Sequence, residues 1–598
     1  MLGGRTVTPD ASTLNLLALI GIYALMAASL ALVNGVAGQF SLGHAGFQAV
    51  GAYVAAGSFA LLFSNAQGGF SDPDPLLAVN PWKLRAIAWG LIVAGGLVAA
   101  AVGWLVSLPC LRLRGDYLAI ATLGFNEIVG VLIRAQGPIG RVDLGGPRGF
   151  NQVPRGVAGG TLEIYATLAI VLLALQRLLR SRGGLAFAAV REDEVAAEAV
   201  GIATTRTKVL AFVVSAFVAG VAGGLYAFHY AAIGDRAFDF THSIDYVVMV
   251  VLGGGHPLGA VAAAAGLTLL NDRFRQFERG RLVVYGFLLI WIMVARIQGL
   301  ARWAWLRAAR PGRTRPHAPA GAGESSEFFK RDRGPEGGPL LTLRGATIRF
   351  GGLAALVGLD LEVAPGDCVG LIGPNGAGKS TVFNLVSGVY RPTAGAVLLE
   401  GRSLASLRAH RIAAMGACRT FQNIRLFEGL TVLDNVRAAT LGRWPEPLAT
   451  ALGFSTAHRR RESAIDAACL TLLGRFGLAD RAGDLAGALP YGARRRLEIT
   501  RALATGPRLL LLDEPAAGMN PREKDELKAL LKNLRENSGL ALLVIEHDMG
   551  FVMDLCDRVV VLDHGRKIAE GTPSQVRDDP AVIEAYLGPE DDSGGAVR

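Results

Sequence analysis

The chain has 598 residues, a formal net charge of +10 and an apolar fraction of 51%. Its length exceeds that of one ordinary domain, and long runs of Ala, Val, Leu and Gly up to about residue 300 give way to a mixed, more polar sequence beyond about residue 339. Arginines cluster beside the apolar runs, as they do on the cytoplasmic face of membrane proteins, which excludes a basic nucleic-acid groove as the source of the charge.

Apolar windows in the first half are long enough to cross the hydrocarbon core of a bilayer, which takes about 20 helical residues. The first window is longer than the apolar core of a signal peptide, so we expect a retained helix. The sequence predicts seven membrane-spanning helices, in residues 13–33, 44–63, 86–108, 117–133, 161–178, 208–230 and 282–300.

An eighth apolar stretch, residues 245–270, is interrupted by Gly-Gly-Gly-His-Pro at 253–257. Glycine and proline interrupt helical hydrogen bonding and favour a bend. The arginine-rich segments at 177–208 and after residue 300 both indicate the cytoplasmic side, which requires an even number of crossings between them. We therefore expect a re-entrant hairpin or two short spans here.

Two residue patterns within the membrane windows bear on packing and on a substrate path. A stripe of small residues, including Gly220 and Gly224, lets helices approach closely, and it fits packing within the chain as well as packing against a second subunit. Polar residues at membrane depth are costly and therefore become pathway candidates, although a structural role is favoured for each one. They are His44, Asn126, Glu127 and His229.

The second half contains the segment GPNGAGKST at Gly373–Thr381, between the apolar run CVGLI and the helical pattern TVFNLVSGVY. Glycines in this strand–loop–helix context let backbone N–H groups turn toward phosphate oxygens, a lysine reaches the β and γ phosphates, and a hydroxyl binds Mg²⁺. The segment predicts an ATP site with Ser380 as a magnesium ligand. Its residues are Gly373, Pro374, Asn375, Gly376, Ala377, Gly378, Lys379, Ser380 and Thr381.

A second motif, LLLLDEP, begins at Leu509. Four consecutive apolar residues are typical of a buried parallel strand, and two carboxylates follow it. After a phosphate-binding loop, this arrangement predicts that Asp513 binds Mg²⁺ and that Glu514 acts on the attacking water.

Further motifs over nearly all of residues 340–588 resemble the ATP-binding cassette family. Phe350 in RFGG stands at the adenine-stacking aromatic, and Gln422 in RTFQNIRLF at the glutamine that contacts magnesium and the permease. Asn520 in AAGMNP stands in the dimer-contact loop, and His547 in VIEHD at the switch histidine. The resemblance implies that Gln422, Glu514 and His547 are the catalytic group, with Ser380, Gln422 and Asp513 around the metal.

The resemblance is closest to importers of branched-chain amino acids. RTFQNIRLF, LPYGARRRLEITRAL and AVIEAYLG are similar to their ATP-binding subunit, whereas FSLGHAGFQAVGAY and REDEVAAEAVGI are similar to one of their permease subunits. By this resemblance, a charged loop at 181–202 docks into an ATPase groove. The docking residues would be Glu194, Ala197, Glu198 and Gly201.

One motif departs from the family pattern. The usual signature begins Leu-Ser-Gly-Gly-Gln, but this chain has Pro490 at the serine, Tyr491 at the first glycine and Ala493 at the glutamine. Proline has no hydroxyl for the γ-phosphate held by the partner cassette, whereas the helix that starts near Gly492 still offers positive potential. We expect Pro490, Tyr491 and Gly492 to contact the partner's nucleotide at a working but differently tuned site.

The resemblance implies a natural fusion of a polytopic α-helical permease domain at 1–305, a flexible linker rich in Pro and Gly at 306–338, and an α/β P-loop ATP-binding cassette domain at 339–590. It implies ATP-driven import of branched-chain or related hydrophobic amino acids across the cytoplasmic (inner) membrane. The implied partners are a second ATPase, a second permease, an extracytoplasmic binding protein and membrane lipid, without nucleic acid.

Three other functions stay open at this point. The first is import of urea, short amides or other amino acids by a related assembly. The second is a homodimeric exporter half-transporter, against which the short loop at 181–202 and Pro490 argue. The third is a non-transporting regulatory ATPase, which the number of apolar spans disfavours.

Overall fold

The computed structural model describes residues 10–63, 80–110, 116–135, 149–151, 156–273, 286, 287, 290, 291, 338–453 and 455–587. The chain divides into two compact units. The membrane unit comprises Met1–Arg180 and Thr205–Thr314, and the ATPase unit comprises Ser181–Thr204 and Arg315–Arg598. The ATPase unit thus contains a short piece of the first half of the chain.

Besides an isolated antiparallel bridge between Phe150 and Ile233, most of the described residues up to Arg273 are helical. They form α1 (Ala11–Leu30), which continues as a π-helix (Ala31–Val36), α2 (His44–Phe63), α3 (Pro81–Cys110), α4 (Asp116–Ala135), α5 (Thr161–Arg180), α6 (Arg182–Glu192), α7 (Glu194–Ala199), α8 (Thr204–Tyr230), α9 (Phe240–Leu252) and α10 (Pro257–Arg273). Helices α6 and α7 belong to the ATPase unit, and α8 begins at the boundary between the units.

Six of these helices, α1 to α5 and α8, are long and apolar enough to cross a membrane. Each of the first six predicted windows falls on one of them, which confirms those predictions. The seventh window, 282–300, lies outside the described residues except at four positions. Helix α1 is the most buried span and α5 the least, so α1 lies at the centre of the packed helices.

The stretch at 245–270 is a bent pair of helices. Helices α9 and α10 meet at 120° across the glycine run, where Gly254 and Gly255 have φ angles of +72° and +77°. Such angles suit glycine, because other residues suffer a clash of Cβ with the backbone. The predicted break is confirmed, and the two short helices pack against each other.

The small-residue stripe of α8 packs inside the membrane unit. A Cβ atom added to Gly51 of α2 would lie 2.1 Å from the carbonyl oxygen of Gly220, and one added to Gly223 would lie 2.0 Å from that of Gln48. Ser215 Oγ also donates to the Ser29 carbonyl at 2.6 Å. The stripe therefore serves packing within the chain at these positions.

Gly51→Ala tests this close approach. The methyl group forces α2 away from α8. We expect the free energy of unfolding to fall by about 1–3 kcal/mol, as in other overpacked cores. The measurement is the thermal unfolding midpoint of the detergent-solubilised chain. Gly90→Ala is the matched control, because a Cβ at Gly90 of α3 meets no atom within 4 Å; equal midpoints for both variants would contradict the packing argument.

The ATPase unit contains two sheets. The strands are β1 (Leu341–Phe350), β2 (Leu353–Val363), β3 (Cys368–Ile372), β4 (Ala394–Leu399), β5 (Arg402–Ser403), β6 (Ala417–Arg419), β7 (Leu509–Asp513), β8 (Ala541–Ile545), β9 (Arg558–Asp563) and β10 (Arg566–Gly571). A four-stranded antiparallel sheet has the order β2-β1-β4-β5, and a six-stranded sheet has the order β10-β9-β3-β8-β7-β6. In the larger sheet all neighbouring pairs are parallel except β10 with β9.

The remaining α-helices of this unit are α11 (Lys379–Val386), α12 (Ala409–Met415), α13 (Val432–Ala439), α14 (Leu448–Leu452), α15 (Thr456–Arg475), α16 (Tyr491–Leu503), α17 (Pro521–Ser538), α18 (Met549–Leu555), α19 (Pro573–Arg577) and α20 (Pro580–Leu587). Helices α13 to α16 lie between β6 and β7 in the chain, and we call them the inserted helical part. Strands β3, β7 and β8 are buried along their whole length, as expected of parallel strands covered on both faces.

The order of the central strands positions the site. The parallel strands β3, β8, β7 and β6 are neighbours, so their carboxyl ends meet at one edge of the sheet. The phosphate-binding loop follows β3, His547 follows β8, Glu514 follows β7 and Gln422 follows β6. Ligands bind at this edge in open α/β sheets. Four motifs that are far apart in sequence therefore converge.

The linker and the cysteines complete the description of the chain. The predicted linker, 306–338, lies outside the described residues except for Gly338, and the boundaries at 305 and 590 stay predictions. Of the five cysteines, the four in the cassette are buried and form no disulfide. They are Cys368, Cys418, Cys469 and Cys556.

Candidate active site

The phosphate-binding loop connects β3 to α11 in a conformation that requires glycine. Gly373, Gly376 and Gly378 have φ angles of +146°, +85° and +100°, which other residues rarely adopt. Pro374 and Thr381 are partly exposed, Asn375 and Ser380 are exposed, and Ala377 packs into the core. Exposed residues of the loop thus lie at the start of α11, where anions bind favourably.

Lys379 lies under this loop. Its Nζ donates to the carbonyl oxygens of Gly373 at 2.6 Å and Pro374 at 3.0 Å. Burial lowers the pKa of Lys379, and the negative charges of Glu514 and Asp513 oppose that shift. Asp513 ends β7 and Glu514 follows it, and carboxylate oxygens suit a hard cation such as Mg²⁺.

Glu514 is the meeting point of the predicted catalytic group. Its Oε1 accepts a hydrogen bond from Gln422 Nε2 at 2.9 Å and lies 3.2 Å from His547 Nε2. Glu514 also has a φ angle of +49°, an uncommon conformation for a residue other than glycine and one that is found at functional sites. The structure thus brings together Gln422, Glu514 and His547, while their catalytic roles stay proposals.

Asp513 has a basic neighbour that the sequence-based site did not include. Arg419 donates to Asp513 Oδ2 at 2.8 Å, and both side chains are almost fully buried. The backbone N–H of Asp513 also donates to Thr420 Oγ1 at 3.2 Å. Arg419 and Thr420 open the RTFQ motif, so the residues before Gln422 fix the carboxylate predicted to bind magnesium.

The remaining predicted nucleotide contacts lie on other segments. Phe350 ends β1, is about half exposed, and packs edge-on against Tyr390 at 5.0 Å between ring centroids. Pro490 precedes α16 and provides no side-chain hydrogen bond to it. Tyr491 packs on Gly518, since a Cβ added there would lie 2.7 Å from the tyrosine ring, and a Cβ at Gly492 would lie 2.7 Å from Glu523.

Asn520 has a local structural role. Its Oδ1 accepts from the Glu523 N–H at 2.9 Å, and Glu523 Oε2 accepts from the Asn520 N–H at 3.1 Å. This reciprocal pair is a capping box at the start of α17, and it satisfies backbone donors that a helix terminus otherwise leaves open. Glu523 also lies beside Gly492 of α16, so the start of α17 is close to α16.

Arg495, on α16, is a functional candidate that sequence reasoning missed. Its side chain is fully buried, and one terminal nitrogen donates to the Phe421 carbonyl at 2.6 Å and to Glu498 Oε2 at 2.8 Å. The other terminal nitrogen donates to the Asp513 carbonyl at 2.9 Å and to the Glu514 carbonyl. Arg495 therefore holds the backbone beside Gln422 and at Glu514, the two residues whose side chains meet.

Arg495→Lys tests this positioning role. A lysine keeps the charge, but its single ammonium group cannot reach all the carbonyl oxygens that the two terminal nitrogens of Arg495 bind. We expect kcat for ATP hydrolysis to fall by about 10²-fold, as for a small misplacement of catalytic groups, with little change in KM for ATP. Arg494→Lys is the control, since Arg494 is paired at the surface with Glu428; a similar kcat for both variants would contradict the assignment.

The loop Ser181–Thr204 lies against this cassette. Ala197 is fully buried in one apolar core with cassette residues, and a Cβ at Gly201 would lie 2.7 Å from Gly442 Cα. Cys418 Sγ lies 3.3 Å from the Ala199 carbonyl. Glu198 instead accepts from Thr204 Oγ1 at 2.6 Å, within the loop itself.

The polar residues that are candidates for a substrate path in the membrane unit differ in burial and in hydrogen bonding. His44 is buried, with Nε2 2.7 Å from Ser29 Oγ, and His229 Nδ1 lies 2.8 Å from the Gly159 carbonyl. Asn126 is buried, with Oδ1 lacking a hydrogen-bond partner among the described residues, and Glu127 is exposed. The hydrogen bonds among the described residues do not join these side chains into a single cluster.

Protein-family models match both halves of the chain. A branched-chain amino acid transport system permease component matches residues 12–293, and an ABC transporter model matches residues 356–517. A third model, the branched-chain amino acid ATP-binding cassette transporter, matches residues 566–591.

Individual relatives match one half each. The high-affinity branched-chain amino acid transport ATP-binding protein BraF of Pseudomonas aeruginosa is 46% identical over 250 residues, which are 42% of this chain and 98% of BraF. LivG of Escherichia coli K12, with the same description, is 47% identical over 251 residues, again 42% of this chain and 98% of LivG. The permease protein LivM of Salmonella typhimurium is 34% identical over 312 residues, 47% of this chain and 67% of LivM.

Proposed function

Because this chain belongs to the branched-chain amino acid transporters of the ATP-binding cassette family, we propose that it couples ATP hydrolysis to the import of branched-chain or related hydrophobic amino acids. It is a multi-pass membrane protein that joins a permease and an ATPase in one polypeptide. The observation that carries the proposal is the meeting of Gln422 and His547 at Glu514, beside a phosphate-binding loop.

Each residue of the ATP site has a proposed task. Lys379 and the loop Gly373–Thr381 bind the phosphates, and Phe350 stacks on the adenine. Ser380, Gln422 and Asp513 would hold Mg²⁺, which would neutralise charge that develops on the phosphates. Glu514 accepts a proton from the attacking water, while Gln422 and His547 orient its carboxylate.

The proposed assembly contains components that this chain does not encode. Partner subunits and a substrate-binding protein accompany transporters of this family in general. We place this chain in the cytoplasmic (inner) membrane, with its ATPase unit on the cytoplasmic side, beside a second permease, a second ATPase and an extracytoplasmic binding protein. Closure of the two cassettes on ATP would switch the permeases, because only the closed state makes the full phosphate contacts.

Uptake into vesicles tests the transport function. The purified assembly, reconstituted with its binding protein and with ATP inside the vesicles, should accumulate leucine, isoleucine or valine. Uptake of urea or short amides instead would favour the related importer, and export activity by this chain alone would favour the exporter half-transporter.

Glu514→Gln tests the catalytic assignment. Glutamine keeps the shape of the side chain and can still accept from Gln422, but it cannot take a proton from water. We expect ATP hydrolysis at this chain's own site to be abolished, with ATP binding retained, as measured by phosphate release and by equilibrium binding. Hydrolysis at the normal rate would show that another residue is the base.

Pro490→Ser tests the proposal that this chain weakens its partner's ATP site. In a Glu514→Gln background, the remaining hydrolysis comes from the partner cassette, which the segment Pro490–Gly492 would complete. A serine hydroxyl can donate to the γ-phosphate, and we expect about tenfold faster hydrolysis, the effect of a charged hydrogen bond worth about 1.5 kcal/mol. Pro490→Ala is the control, and equal rates for alanine and serine would contradict the role of the hydroxyl.

A further inference from the structure

The loop Ser181–Thr204 attaches to the cassette through two separate helices. Helix α7 packs on α12, next to β6. Helix α6 packs on α13 and α14, in the inserted helical part. The two attachments are joined at Asp193, whose Oδ2 accepts from Arg425 at 2.8 Å. The docking that the family resemblance implies concerns α7, whereas the attachment of α6 needs its own explanation.

The attachment of α6 is built on a buried arginine. Arg182 is the first residue of α6 and is only 2% exposed. Its Nε donates to Glu462 Oε1 at 2.7 Å, and one terminal nitrogen donates to Thr440 Oγ1 at 3.2 Å and to the Trp444 carbonyl at 3.1 Å. We call Glu462, Thr440 and Trp444 the Arg182 socket. All three acceptors come from the cassette.

The surroundings of the socket are acidic. Arg437 of the cassette is surrounded by three carboxylates, those of Asp434 at 3.3 Å, Asp466 at 2.6 Å and Glu462 at 3.7 Å. These three carboxylates share one guanidinium of the cassette, and Glu462 has the longest contact with it. Arg182 supplies a second positive charge at the most buried position of the cluster.

The backbone at the start of α6 is also bound. Glu446 Oε2 accepts from the Gly183 N–H at 2.7 Å, and Glu446 Oε1 lies 3.1 Å from His458 Nε2. A carboxylate is favourable at a helix N-terminus. Glu446, His458 and Glu462 could by their spacing hold a metal ion. Glu462 already binds Arg182, however, so this cluster is better suited to a guanidinium.

We propose that Arg182 and its socket select the permease loop that this cassette accepts. The accepted loop carries an arginine at the start of α6, and in this chain it is supplied in cis by Ser181–Thr204. A loop without that guanidinium would leave the partly buried Glu462 with only its 3.7 Å contact to Arg437, which is unfavourable. In an assembly with two permeases and two cassettes, this rejection favours pairing within the chain.

A cleavable form of the full chain tests the proposal independently of transport and hydrolysis. A protease site is inserted within residues 311–338, the membrane half is immobilised by a tag, and retention of the ATPase half is followed over time after cleavage. We expect Arg182→Met to release the ATPase half at least about tenfold faster, because losing one partner of a buried charge pair raises the dissociation rate. Arg191→Met is the matched control, on an exposed arginine of the same helix.

A double-mutant cycle makes the test specific for the ion pair. Glu462→Gln alone should also speed release, and Arg182→Met with Glu462→Gln should be no faster than the faster single variant, because both remove one interaction. The released half should still bind ATP. Retention of Arg182→Met equal to that of Arg191→Met, additive effects, or loss of ATP binding by the released half would each overturn the proposal.

Discussion

The burial of arginine side chains is the constraint on which much of the ATPase unit depends. A guanidinium without water is tolerated only when its charge is balanced and its N–H groups find acceptors. Arg182 and Arg495 are among the largest fully buried side chains of the chain. Arg182 and the two terminal nitrogens of Arg495 donate to oxygens of segments distant in sequence, so each side chain fixes the relative position of those segments.

The acceptors of Arg495 extend toward the loop from the first half of the chain. Glu498, its ion-pair partner, accepts from the backbone N–H of Arg425 at 3.3 Å, and the Arg425 side chain donates to Asp193 of the loop. A continuous series of polar contacts thus leads from Asp193 through Arg425, Glu498 and Arg495 to the backbone of Glu514. Because each of these groups is hydrogen-bonded to the next, a displacement of the loop can shift the backbone of Glu514, whose carboxylate meets Gln422.

Sequence reasoning could select the candidate site residues because several of them follow recognisable buried strands. The apolar runs before Gly373 and Asp513 predicted strand ends, and parallel strands bring their ends to one edge. The same reasoning could not select Arg495 from three consecutive arginines, since charged side chains are mostly exposed in proteins. Every residue of α16 from Leu497 to Leu503 is buried, so no apolar stripe distinguishes an inward from an outward arginine.

The membrane half shows a similar limit. The break in the α9–α10 pair was predictable because glycine and proline act locally. The helix on which the small-residue stripe packs could not be predicted. It is α2, whose Gly51 lies about 170 residues earlier, and a sequence pattern does not identify the helix that faces it. Arg182 likewise stands in an ordinary charged loop, and only the fold brings Glu462 to it.

The inclusion of Ser181–Thr204 in the ATPase unit also bears on the order of folding. Seven apolar residues of this loop, from Ala186 to Ile202, are buried in one core with cassette residues. Translation proceeds from the N-terminus, and domains fold largely as they emerge. The loop is therefore synthesised before any residue of the cassette, and the cassette completes its core on a surface that its own chain has already supplied.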